Sequence, residues 1–392
     1  MSDCHCCDGT LNRHWRCHDQ NWRHHFGDCN GLSRNLLMPA ASHDDPVLRT
    51  LLLPFATGQL TWPEAGGVLF LRARAGTTLH EIPRSQLICE QTYKPAVDEL
   101  AREGWPLCTM EEAEARQHSL VLVLPPRQRQ EARALLAHAV ACCAPGGTIV
   151  ASMANDEGAR SGESDLKSLA GLSGSISKNH CRVYWSTKDA ASCDAALLAA
   201  WREFDAPRAI LAGRFISRPG VFAWDRIDPA SALLAEHLPP TLYGSAADLG
   251  CGYGYLAVEL LQRCPGITAL DLYEAEARAL DLARQNLATF ADRVPLGFHW
   301  HDVTRGVPAR YDVIVSNPPF HAQGAADRPD IGRAFIAAAA EALRPGGRLW
   351  MVANRHLPYE SILDARFGTV RTVTQAGGFK IIEALKAGGS RT

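Results

Sequence analysis

One pattern limits the fold of this chain more than any other, because it occurs twice. Leu120-Val121-Leu122-Val123-Leu124 runs into Pro125-Pro126, a helical stretch through Val140, then Pro145-Gly146-Gly147 and a strand, Thr148-Ile149-Val150. Tyr311-Asp312-Val313-Ile314-Val315-Ser316 runs into Asn317-Pro318-Pro319-Phe320, an alanine-rich helical stretch through Leu343, then Pro345-Gly346-Gly347 and a strand, Leu349-Trp350-Met351-Val352. Short apolar, β-branched runs read as strands buried on both faces, and the prolines end them because proline has no N–H to continue a ladder. Buried strands alternating with helices predict an α/β chain with an open, largely parallel sheet in each half. The division is expected near residues 190–215, between Trp185-Ser186-Thr187 and Arg214-Phe215-Ile216-Ser217-Arg218-Pro219-Gly220. It gives one domain over 38–200 and a second over 205–392.

The two copies differ where chemistry would sit. Leu124 and Arg127 stand in the first at the places of Asn317 and Phe320 in the second. The early strand Gly67-Val68-Leu69-Phe70-Leu71 runs into Arg72-Ala73-Arg74-Ala75-Gly76, without a glycine-rich acidic turn. An ancestral duplication with a decayed first copy is the economical account, and chance similarity of two α/β domains is the competing one.

With 392 residues, 46% of them apolar, the chain has ample core for two domains. No apolar stretch approaches the roughly 20 residues of a membrane span. No basic n-region with an apolar core opens the chain, so a cytoplasmic location is expected. A net charge of −2 gives no global nucleic-acid footprint, so any RNA contact must rest on a local basic face. Residues 1–37 are crowded with Cys4, Cys6, Cys7, Cys17 and Cys29 and with His5, His14, His18, His24 and His25. Zinc is one reading of that leader. Cys4-x-x-Cys7 is followed by His14-x-x-x-His18, but only six residues lie between them where a zinc unit has roughly 12–15, and the leader has no second Cys-x-x-Cys, so a disordered segment without metal is favoured.

Ala246-Ala247-Asp248-Leu249-Gly250-Cys251-Gly252-Tyr253-Gly254 reads as a strand, a glycine turn and a helix start near Leu256. Glycines at alternate positions let the backbone approach a ligand closely. The spacing is not that of dinucleotide sites, and an acid before the glycines disfavours phosphate and favours an ammonium group, such as S-adenosylmethionine carries. The next strand, Ile267 to Glu274, is expected to end in a carboxylate that accepts from both ribose hydroxyls. Glu274 is the choice, with Asp271 as competitor. Asp302 is placed to accept from the adenine amino group, or else caps a turn. His299 and His301 read as strand-surface residues.

The Asn317-Pro318-Pro319-Phe320 end offers a rigid acceptor pair, the Asn317 side-chain oxygen and the Pro318 carbonyl, with an aromatic ring beside it. That suits a planar amino group on a ring.

Together these residues resemble the class I S-adenosylmethionine-dependent methyltransferases, and more closely the ribosomal RNA guanine-N2 methyltransferases of the RsmC/RlmG type. The likeness is strongest at Pro219-Gly220-Val221-Phe222, Asp248 to Gly254, Ser316 to His321, and Val352-Ala353-Asn354-Arg355-His356-Leu357-Pro358-Tyr359. The resemblance implies two tandem Rossmann-like methyltransferase domains, the first degenerate and used for RNA docking or support. It implies methyl transfer from S-adenosylmethionine to guanine N2 in ribosomal RNA, 16S favoured over 23S, by a monomer acting on RNA or the small subunit. Asn317, Pro318 and Phe320 would be catalytic, Pro319, Phe320, Asn354 and Arg355 would face substrate, and Asp248, Gly250, Gly252, Gly254, Glu274 and Asp302 would hold cofactor. Adenine N6 or a protein glutamine are the alternative acceptors, and a non-catalytic RNA-binding or assembly factor is the alternative of another class.

Overall fold

Both apolar repeats lie at the centre of a seven-stranded sheet. The computed structural model describes residues 45–319 and 329–388, so the leader and Phe320 fall outside the described residues. The first sheet holds β1 (Gly67–Leu71), β2 (Leu87–Glu90), β3 (Leu107–Cys108), β4 (His118–Val123), β5 (Cys143–Ala154), β6 (Gly174–Lys178) and β7 (Cys181–Thr187). A small hairpin follows, β8 (Arg208–Ile210) and β9 (Phe215–Ser217). The second sheet holds β10 (Tyr243–Leu249), β11 (Gly266–Glu274), β12 (Leu296–Trp300), β13 (Tyr311–Ser316), β14 (Leu343–Asn354), β15 (Thr369–Ala376) and β16 (Phe379–Leu385). Strand orders are β3-β2-β1-β4-β5-β7-β6 and β12-β11-β10-β13-β14-β16-β15, the same order twice. Every pairing within them is parallel except those made by β7 and β16.

The strands are apolar on both faces because each sheet is covered on both. Val313 and Val315 enter one core of the second half and Ile314 the other. Each such side chain, fully buried, contributes about 1.5–3 kcal/mol. In the first half Leu120 and Leu122 divide from Val121 and Val123 in the same way.

The Pro-Gly-Gly triplets do not precede strands, as the sequence suggests, but lie inside β5 and β14. His118 pairs with Cys143 and Leu120 with Thr148; Tyr311 pairs with Leu343 and Val313 with Arg348. An advance of two residues on one strand thus meets an advance of five on its partner, in both halves. Gly146 and Gly346 turn the bulge with φ of 76° and 80°. Each bulge is closed by main-chain bonds to a lysine, Lys188 in one half and Lys386 in the other. A shared irregularity of this kind favours duplication over chance.

The helix Ala195–Arg202 buries Trp201 in the first half's core, while Ile210 and Phe215 of the hairpin enter the second half's. No helix among the described residues is long and apolar enough to cross a membrane.

Candidate active site

In the second sheet the chain order reverses between β10 and β13, where open α/β sheets leave a crevice beyond the strand ends. Leu249 pairs with Tyr273 on one side and with Ser316 on the other. The next residue along each strand is therefore Gly250, Glu274 or Asn317, and parallel register sets the three side by side.

Gly250, Gly252 and Gly254 have φ of 76°, 54° and 90°, the left-handed region that penalises a Cβ. Added Cβ atoms would meet the Phe335 ring at Gly250 and Leu287 at 2.6 Å at Gly254, but nothing within 4 Å at Gly252. Two glycines therefore permit packing, and Gly252 opens the turn toward a ligand. Gly254→Ala is expected to lower stability by about 1–3 kcal/mol through overpacking and strain. Gly252→Ala carries only the strain. Thermal melts of the two variants check this; equal losses would contradict it.

Asp248, next to last in β10, is fully buried, and neither of its carboxylate oxygens has a hydrogen-bond partner among the described residues. Burial, reinforced by the nearby Glu274 charge, pushes its pKa up to about 8, opposed by the Ala257 N–H, which is near it but outside hydrogen-bond geometry. An orphaned buried carboxylate is costly unless a partner arrives. Glu274 ends β11. Its Oε1 accepts from the Ala275 and Glu276 amides at 2.8 and 2.9 Å, and its Oε2 from the Gly252 amide at 2.8 Å. Its pKa is also raised by burial, against those amides.

Asp271 is used elsewhere: it accepts from the Tyr311 hydroxyl at 2.6 Å, which lies 2.7 Å from that of Tyr273, within the sheet and away from the glycine turn. Asp302 caps a turn, accepting from the Thr304 amide at 3.0 Å and its hydroxyl at 2.6 Å. His299 stacks on Tyr273 with ring centroids 4.5 Å apart, and His301 Nε2 lies 2.6 Å from the Gly306 carbonyl, so both serve the sheet.

Asn317 and the glycine turn line one cleft, with Phe222, Ala223, Asp228, Ser231, Tyr253 and Tyr255. Asn317 Nδ2 donates to Asp228 Oδ2 at 3.0 Å and to Ser231 Oγ at 2.8 Å. Because a carboxylate only accepts, this partner decides which way the amide faces. Oδ1 has no hydrogen bond among the described residues and is the acceptor left to the cleft. Pro318 is buried and Pro319 exposed. Asn354 ends β14 and Arg355 is exposed beyond it, its amide bonded to the Gly378 carbonyl; neither lines this cleft.

Three residues here have no role assigned from the sequence, although Phe222 lies in a segment of strong likeness. Asp228 and Ser231 look like an ordinary helix start, and Asp228 does cap the helix Pro229–His237 through the Ser231 amide at 2.8 Å. Their second task needs β13 brought alongside. Phe222 is 66% exposed, unusual for so large a ring, and its neighbour Ala223 has φ of 50°. Left-handed backbone without glycine is strained and collects at functional sites.

The open glycine turn, the orphaned Asp248 and the acid-tipped second strand fit S-adenosylmethionine, and fold and cleft define a class I S-adenosylmethionine-dependent methyltransferase. Residues 212–383 match the model of the methyltransferase small domain family. Ribosomal RNA small subunit methyltransferase C of Yersinia enterocolitica is 33% identical over 260 residues, covering 66% of this chain and 72% of that protein. The protein of that name in Escherichia coli K12 is 33% identical over 261 residues, covering 66% and 73%. The structure of T. thermophilus 16S rRNA N2 G1207 methyltransferase (RsmC), in complex with AdoMet and guanosine, matches with a TM-score of 0.72 at 27% identity, over 89% of this chain and 94% of that one. This chain belongs to the ribosomal RNA small subunit methyltransferase C family.

Proposed function

We propose that the second half methylates the exocyclic N2 amine of a guanine in ribosomal RNA, with 16S favoured over 23S. The observation that carries this reading is the held amide of Asn317, turned by Asp228 and Ser231 so that Oδ1 is free to accept. Guanine N2 is a weak nucleophile because its lone pair is delocalised into the ring. Asn317 Oδ1 and the Pro318 carbonyl accept its two hydrogens and turn the lone pair toward the methyl group. Phe320 and Phe222 stack on the base, and Pro319 borders it.

When bound, S-adenosylmethionine supplies an electrophilic methyl on a sulfonium. Asp248 would take its ammonium group, and Gly250, Gly252 and Gly254 would let it approach the backbone. Glu274 would accept from the ribose hydroxyls, and Asp302 would accept from the adenine amine through the Oδ2 that its turn cap leaves without a hydrogen bond. Orientation provides most of the rate, since well-placed reactants gain about 7–11 kcal/mol. Asn354, Arg355 and the first domain (38–200) contact the RNA around the target, and the protein works as a cytoplasmic monomer on ribosomal RNA or the small subunit. The T. thermophilus relative, a 16S rRNA N2 G1207 methyltransferase in complex with guanosine, supports guanine over adenine or a protein glutamine.

Mass spectrometry of ribosomal RNA nucleosides from a deletion strain tests this reading. One N2-methylguanosine in 16S RNA should disappear and return with the wild-type gene, but not with Asn317→Ala. Loss of N6-methyladenosine instead would move the acceptor, and unchanged RNA would leave an assembly factor. Phe222→Ala should raise the KM for RNA about tenfold, the lower end of the 1–3 kcal/mol of one base–aromatic stack. Cofactor affinity should hold; a matched loss of both would place Phe222 against the cofactor instead.

A further inference from the structure

The first half keeps the frame of a cofactor site but has altered its contents. Arg72 follows the end of β1 as Gly250 follows β10, and it keeps the left-handed turn at φ of 52°. Gln91 follows β2 as Glu274 closes β11. Its Oε1 accepts from the next two amides, Thr92 and Tyr93, at 2.9 Å each, matching the two amides bound by Glu274. Its Nε2 donates to the Ala73 carbonyl at 2.8 Å. That carbonyl belongs to the peptide unit equivalent to the one whose N–H, on Gly252, binds Glu274. The peptide has turned over, and the carboxylate has become an amide to suit it.

Beside this altered turn stands an arginine from the second half, which shares Glu131 with Arg72. Arg278 Nη2 lies 2.7 Å from Glu131 Oε1, Nε lies 3.0 Å from Glu276 Oε1, and Nη1 lies 3.5 Å from Asp205 Oδ1. Arg72 stands 3.6 Å from the same Glu131 oxygen, and Arg218 pairs with Asp205. Around these the backbones join. Tyr93 and Glu276 form an antiparallel bridge, with the Lys94 amide on the Ala275 carbonyl at 2.8 Å and the Ala277 amide on the Thr92 carbonyl at 3.0 Å. Trp300 Nε1 donates to the Thr92 and Ala275 carbonyls. The segment so clamped, Ala275 to Ala277, supplies both amides that hold Glu274 Oε1. Glu131 also packs on Gly220, where any Cβ would collide with its carboxylate. Gly220 opens the loop that carries Phe222 and leads to Asp228.

We propose that the vestigial cofactor site of the first half is now a socket for Arg278, and that through it the first half holds Glu274 in place for the cofactor of the second. Glu131 and Arg278 are positioning residues: they touch the clamped segment and the Gly220 loop and reach the cofactor only through Glu274. The inference rests on reading Glu274 as the ribose acid.

Calorimetric titration of S-adenosylmethionine into the full chain tests it, beside amide hydrogen exchange at Ala275 and Glu276 without cofactor. Arg278→Ala and Glu131→Gln should each weaken affinity about tenfold, within the usual range of coupling between sites, and speed exchange at those amides. Turnover at saturating cofactor should stay within about twofold, since uniform binding rather than transition-state contact is lost. Arg278→Lys should recover part of the affinity. Arg133→Ala is the control, because it breaks an ion pair with Asp165 at 2.9 Å inside the first half. Unchanged affinity in the Arg278 and Glu131 variants would overturn the proposal, as would an equal fall in Arg133→Ala at matched melting temperature. Failure of the wild-type chain to bind cofactor would remove the reading of Glu274 and the inference with it.

Discussion

Asn317→Ala is expected to lower kcat by about 10²–10³-fold, the usual loss on deleting one preorganised hydrogen-bonding group aimed at the transition state. Cofactor affinity should stay within a few-fold, because the assigned cofactor contacts lie on β10 and the turn after it, on β11 and in the turn after β12. Asn317→Asp keeps the shape but sets a carboxylate against Asp228 where a donor stood, so it should be no better than alanine. Asp228→Asn tests the same geometry from behind. An amide there can offer either an oxygen or an NH₂ group, so Asn317 is no longer forced to present Oδ1, and about a tenfold loss in kcat follows if the wrong orientation dominates. Asp228→Ala adds loss of the helix cap, worth about 1 kcal/mol, and should also melt earlier. Single-turnover rates and calorimetric titration separate these effects. A fall in affinity as large as the fall in rate would make Asn317 structural.

Asp248→Asn should act in the opposite sense on stability and on binding. The carboxyl of Asp248 has an ordinary value of 3.8 and is pushed to about 8 in the fold by burial and by Glu274. The cofactor-free folded state therefore holds a proton between those values that the unfolded chain has released. Its contribution to stability is complete below about pH 4 and lost as pH rises through about 8. Glu274, also raised, adds a slope of the same sign. Asparagine carries no such slope, so the variant should match wild type near pH 4 and melt higher at pH 9. A cation in the cleft favours the ionised form, so binding to wild type should release a proton below about pH 8 and tighten as pH approaches that value. The variant should bind about 10–150-fold more weakly, the loss of a charge-assisted hydrogen bond of 1.5–3 kcal/mol. Melting curves at both pH values and titrations in buffers of different ionisation heat check these signs. A variant less stable at pH 9 would refute the account of Asp248.

Much of this site was legible because its signals are local. A glycine turn must follow its strand directly, so Asp248 to Gly254 could be read as one unit, and Asn317-Pro318-Pro319 declares both a strand end and an acceptor. The choice between Asp271 and Glu274 was not local. Both are acids on one strand, and only the register with β10 sets Glu274 one step beyond Leu249 and leaves Asp271 to Tyr311 within the sheet. The Pro-Gly-Gly bulge was misplaced because strand ends depend on pairing partners, which neighbouring residues do not name.

By itself the sequence determined the repeat, the two parallel sheets, the decay of the first copy and the strand that ends in Asn-Pro-Pro. Periodicity and chain-breaking residues act within a few positions, so composition along the chain carries them. Only the tertiary structure decided which way the Asn317 amide points, since Asp228 and Ser231 lie 89 and 86 residues away. It alone decided that Arg278 of the second half pairs with Glu131 of the first, 147 residues distant. Directional hydrogen bonds and buried ion pairs are made between elements that only the folded sheets bring together, and no local pattern announces them.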